Sequence, residues 1–205
     1  MRINPVIRYL VIADFFVNAG FSFFAPVLAI FITGQIKGGT IEAVGIGTAI
    51  VQIIKVVFEL PIARILDRNH GEYDDFASLV FGAVLIALVP FLYLLASTIT
   101  HMYIIQAIYG LGIAFALPPW YAIFSRHVDS TQESFEWTLD SVSIGVAAAG
   151  AAAAGGFLAQ RFGFDFVFLA AGVLAILGGI LQCKIFQYLK RKVSRGQVRP
   201  VGEKV

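Results

Sequence analysis

Residues 76–125 contain no Asp, Glu, Lys or Arg, and only the polar turn around Ser97, Thr98, Thr100 and His101 interrupts them. About 20 apolar residues already cross the hydrocarbon core of a bilayer, so a stretch of this length reads as two spans joined at the turn. Uncharged runs also cover residues 15–36, 141–160 and 166–183, and residues 43–63 are long enough while carrying Lys55 and Glu59. A barrel strand needs only about 10 residues, so these runs are helical in length. Six membrane-crossing helices are expected, near residues 9–32, 43–63, 76–97, 102–124, 138–160 and 166–183. Composition agrees: 59% of the chain is hydrophobic and 14% charged, against ~25% charged for a soluble domain. The fold class is all-α integral membrane, with a six-helix domain over residues 1–189 and a basic tail over 190–205.

Lys and Arg set the orientation. Six spans put both termini on one side, with Arg2, Arg8, Arg64, Arg68, Arg126, Lys184 and the six basic residues of the tail. The other side holds Lys37 and Arg161. Both termini are therefore expected in the cytoplasm, with the chain in the plasma membrane. The first helix is too long and aromatic for a signal-peptide core and is expected to stay. The tail can rest on anionic lipid. Cys183 is the single cysteine and only three histidines occur, so neither a disulfide nor a metal site is expected. No cofactor and no nucleic-acid partner are expected; the bilayer itself is the first partner.

Polar residues inside spans are the candidates for function. Asp14, Asn18 and Ser22 follow one another at four-residue steps and share a helical face. Asp14 either faces protein and water in the bundle or is wetted near the cytoplasmic edge. Gln52, Lys55 and Glu59 form a second stripe, and Lys55 and Glu59 are spaced to pair along the helix. That pair either makes the helix insertable or lines a cavity in which Glu59 takes up a proton. On the fourth helix, Gln106 and Tyr109 precede Gly110 and Gly112. The fifth helix carries Gly145, Gly150, Gly155 and Gly156 in an alanine-rich run, where small side chains let helices approach closely. Before it, Ser130 and Glu133 have the spacing of a capping box. Pro61 is expected to end the second helix, and Pro118 and Pro119 to loosen the end of the fourth.

The segment Glu59-Leu60-Pro61-Ile62-Ala63-Arg64-Ile65-Leu66-Asp67-Arg68, followed by Gly71, resembles the loop between helices two and three of the major facilitator superfamily, whose pattern is roughly E-x-P-x-G-x-L-A-D-R-x-G-R-R. Ala63 replaces the usual glycine, and Glu72, Asp74 and Asp75 stand where that family has basic residues. Gly155-Gly156 matches the end of the family's glycine-rich fifth-helix motif, without its proline. Gln106 takes the place of an arginine that many members carry. Ala63 to Arg68 is also similar to Gly156 to Arg161, as nested three-plus-three inverted repeats would leave. The resemblance implies a single six-helix half of a transporter. It assigns Arg64, Asp67, Arg68 and Gly71 to a cytoplasmic gating loop, with Arg126 holding Asp67.

Transport of a small solute is then the expected function, coupled to protons through Asp14, Glu59 and Lys55. Asn18, Gln52, Gln106 and Tyr109 would contact the substrate. A second six-helix half is expected as partner, either another copy of the chain or a separate one. The competing expectation is a non-transporting membrane subunit, scaffold or truncated half. No G-x-S-x-G, phosphate loop or metal spacing suggests an enzyme.

Overall fold

Every apolar run becomes a helix, and each helix extends beyond its run. The computed structural model describes residues 3–69 and 71–189. It contains α1 (Pro5–Gln35), α2 (Ile41–Asn69), α3 (Glu72–Leu94), α4 (Ile99–His127), α5 (Glu133–Phe162) and α6 (Phe164–Cys183), then a 3-10 turn over Lys184–Tyr188. All six are long and apolar enough to cross a membrane. The basic tail 190–205 lies outside the described residues.

The extra turns come from capping and from tolerated prolines. Asn4 accepts a hydrogen bond from the Val6 N–H at 3.0 Å, ahead of Pro5 at the first helical turn of α1, where the missing proline N–H costs nothing. Thr98 caps α4 in the same way through the His101 N–H. Glu72, Asp74 and Asp75 occupy the first turn of α3. Negative side chains there oppose the positive end of the helix dipole, which explains acids at positions read as loop. Pro61 does not end α2, nor do Pro118 and Pro119 interrupt α4. In a membrane bundle, neighbouring helices compensate for the single backbone bond each proline removes. The expected capping box also fails, since Ser130 is exposed and α5 starts without a side-chain cap. Instead Glu136 reaches back to accept from the Asp129 N–H at 2.9 Å. Asp129 in turn accepts from the N–H and hydroxyl of Thr131, which holds its carboxyl below the usual range.

Packing exchanges partners between the two halves of the chain. In the first three helices, α1 leans mainly on α5 and α6; in the last three, α4 leans mainly on α2 and α3; α3 and α6 meet behind them. That is the pairing of a three-plus-three repeat in which each middle helix crosses to the other repeat's first helix. Glycines sit at each close approach. A Cβ at Gly155 would fall on the Phe23 carbonyl between α5 and α1. Gly178 abuts the Ala13 carbonyl, and Gly82 abuts that of Gly112. Without a hydrophobic drive between helices in lipid, such contacts supply the van der Waals packing that holds the bundle.

Two apolar clusters fill the interior. Phe24, Phe31, Tyr93 and Phe168 stack together towards one end. Val6, Ile7, Leu10, Leu79, Ile123, Phe124 and Ile185 fill the other. At the first end, Lys37 and Thr98 form a bridge that ties the α1–α2 turn to the α3–α4 turn. At the second, the Asn4 amide donates to the His127 carbonyl at 3.0 Å. The chain enters α1 and leaves the 3-10 turn at this same end.

Candidate functional site

Direct contact between α1 and α4 is slight, and a cleft of about 460 Å³ opens between them. That volume lies within the ~300–1,000 Å³ of ligand pockets. Asp14, Val17, Asn18 and Phe21 of α1 form one wall, and Tyr109, Ile113, Leu117, Trp120 and Tyr121 of α4 the opposite one. Leu79 and Ala83 of α3 with Gln182 of α6 lie between them, and α5 contributes Trp137, Asp140, Ser141 and Ile144. No residue of α2 takes part. Phe21 stacks on Tyr109 with ring centroids 5.3 Å apart, joining the two walls. Trp120 meets Trp137 at 6.0 Å and Tyr121 at 5.4 Å, so one end of the cleft is aromatic.

Two acids converge here from different helices. Asp14 is 9% exposed and Asp140 5%, and the charge of Asp140 reaches Asp14. Among the described residues, no Lys, Arg or His lines the cleft. The Trp120 indole N–H faces Asp14 without a hydrogen bond of regular geometry. Asp140 Oδ1 and Gln182 Oε1 are buried and have no protein partner. Asn18 bonds its own helix, donating to the Asp14 carbonyl at 2.9 Å. One turn before Asp140, Glu136 is fully buried, with Oε2 bonded to Asp129 and Oε1 unpartnered. A buried charge is costly unless it is paired, and no basic side chain among the described residues that line the cleft pairs these acids.

The Major Facilitator Superfamily profile matches residues 10–203, nearly the whole chain. The chain belongs to the major facilitator superfamily. No curated protein matches it. Among solved structures it is similar to the POT family transporter PepTSo, with a TM-score of 0.78 and 14% identity. The alignment covers 96% of this chain and 40% of that one, so the chain spans well under half of the neighbour's length. At that identity the likeness speaks for the fold.

As a superfamily half, the chain places some expected site residues in the cleft and others away from it. Asp14, Asn18 and Tyr109 line it. Gln52 is exposed on α2, while Lys55 and Glu59 lie 4.0 Å apart along the same helix and are partly exposed. None of the three reaches the cleft, because α2 packs on the far side of α4. Gln106 is buried against α2, beside Gly47, and does not line the cleft. The structure adds Asp140 and Glu136, four residues apart on one face of α5; that spacing is present in the sequence, where Asp140 stands at the start of the expected fifth span and Glu136 just before it.

The superfamily loop is also rearranged. Arg64, Asp67 and Arg68 ride on the last turns of α2, and Gly71 caps α3. Arg126 does not hold Asp67; it bonds Asp75, which is buried in the first turn of α3. Beside this pair, His127 Nε2 lies 3.8 Å from Glu72. Gly155 packs closely, but Gly145, Gly150 and Gly156 face outward with nothing near the position of a Cβ. The reason is that α5 touches mainly α1, so most of its circumference is uncovered.

Proposed function

We propose that the chain is one half of a secondary transporter for a small solute, coupled to protons and working with a second six-helix half. The observation that carries the reading is the pair Asp14 and Asp140, two buried acids in one ligand-sized cleft that no basic residue among the described ones lines. Acids inside a span are costly and are retained where ions or substrates pass. Asp140 takes the coupling role expected of Glu59.

Pairing is supported by what α2 and α5 leave uncovered. In their most apolar windows 17% of residues are buried, against 39% in α1, α3 and α4. Residues on the outer faces of α3 and α6, such as Phe81, Leu88, Leu169 and Ile176, are bulky and suit lipid. The outer face of α5 interleaves Gly145, Ala149, Gly150 and Ala153 with Val142, Val146 and Phe157, and its small residues leave room for another helix. The second half is another copy of this chain, inserted in parallel, or is supplied separately. Both halves would then have their termini in the cytoplasm, as the basic residues at the shared end suggest.

The test is reconstitution of the full chain into liposomes that enclose a pH-sensitive dye. A candidate solute should drive proton movement, and Asp14→Asn should abolish it. Proton flux that is undiminished in the Asp14→Asn, Asp140→Asn double variant would overturn the coupling. Cysteines introduced at Gly150 should crosslink to a second half in the membrane.

A further inference from the structure

We propose that the cleft takes an organic cation, with its positive centre between Asp14 and Asp140 and its apolar groups against Trp120 and Trp137. The inference rests on the transporter reading above and names the substrate class of the same site. Charge is its first support. The titratable groups lining the cleft are Asp14 from α1, Tyr109 and Tyr121 from α4, and Asp140 from α5; α3 and α6 add none. Glu136 adds a third acid one turn away on α5. An anionic solute would meet only repulsion, and a neutral one would leave the acids uncompensated.

Shape is the second support. The walls are otherwise aromatic and aliphatic, so a small hydrated metal ion would find too few oxygen donors to replace its water. A cation carrying apolar substituents fits both features. Its charge lies against carboxylates and the faces of tryptophan, the strongest aromatic partner for a cation. Its substituents displace water from apolar walls. Asp140 Oδ1 and Gln182 Oε1, buried and without protein partners, supply acceptors for an ammonium N–H. Protons and ligand then compete for the same two carboxylates. Entry of a cation releases a proton, which accounts for coupling with no basic residue among the described lining residues.

Both tryptophans of the chain line this cleft, so intrinsic fluorescence reports on it directly. The full chain in lipid nanodiscs is titrated with tetraphenylphosphonium, with its anionic counterpart tetraphenylborate, and with neutral triphenylphosphine oxide. Tetraphenylphosphonium should quench saturably at pH 8, and bind about tenfold or more weakly at pH 5, as loss of one charge contact implies. Asp14→Asn and Asp140→Asn should each weaken it comparably, while Asp140→Glu retains binding. Equal or tighter saturable binding of tetraphenylborate or the neutral compound overturns the inference, and this comparison on the unaltered chain needs no variant to fold. Binding that survives both Asn substitutions also overturns it. Charge-selective binding without proton or solute movement keeps the inference and removes the transporter reading. Solute-driven flux that needs Asp14, with no charge-selective binding, does the reverse.

Discussion

Acids gather in two places in this molecule, and the two are balanced in opposite ways. At the end of the bundle, Asp75 and Glu72 lie beside Arg126 and His127. Asp75 is three residues into α3, roughly 5 Å along the axis at 1.5 Å per residue. In the cleft, Asp14 lies nine residues into α1, roughly 14 Å deep on the same scale, and its charged neighbour is another acid. The shallow cluster has the Arg126 cation built in, whereas the deep pair has no basic partner among the described lining residues. A fixed ion pair braces α3 against α4. An unbalanced pair can bind, release and be refilled.

Substitutions that remove charge should therefore act in opposite senses at the two places. The largest effect is expected from Asp14→Asn with Asp140→Asn, which should abolish pH-gradient-driven flux in liposomes. The same variant should melt higher at pH 8, because it removes two buried carboxylates whose charge no lining base compensates, and an unpaired buried charge is costly. A lower melting temperature would mean that the cleft acids are structural, and the contrast would collapse. Next comes Arg126→Gln, which strips Asp75 of its charged partner. A hydrogen bond to a charged group is worth about 1.5–3 kcal/mol, and partial exposure of Arg126 favours the low end. A fall of about 3–6 °C in melting temperature is expected for a chain of this size, with flux per folded molecule retained. The smallest effect should be that of Asp67→Asn. Asp67 is exposed and does not hold Arg126, so the melting temperature should move by no more than about 1–2 °C. A loss comparable to that of Arg126→Gln would restore the family's loop arrangement.

Much of the architecture was legible because hydropathy and helix length are local properties. The six spans, the motif before α3 and the repeat-like linkers needed only consecutive residues. Cleft membership is a different kind of fact. Lys55 and Glu59 look as functional in sequence as Asp14 does, yet α2 docks on the side of α4 away from the cleft. Which face of a helix looks inward depends on its neighbours, and these come from the other repeat. Nothing in consecutive residues marks Asp140 above the other acids near the start of the fifth span, because its place in the cleft depends on α5 packing against α1. The helix dipole and the reach of Glu136 back to Asp129 carry α5 several residues further than apolarity alone would.

The exchange of helices between repeats also has a consequence for how the chain is made. Asp14 leaves the ribosome ahead of its covering helix, α5, which follows only after three more helices have been synthesised. At about 5–20 residues per second, the first helix waits on the order of ten seconds for that cover. During this interval an aspartate within a span carries an insertion cost of about 2.5–3.5 kcal/mol at the centre, and less where water reaches it. The insertion machinery, or a proton on the carboxylate, must carry the first helix through that delay. Survival of the newborn chain is therefore set partly by how quickly its fifth helix follows its first.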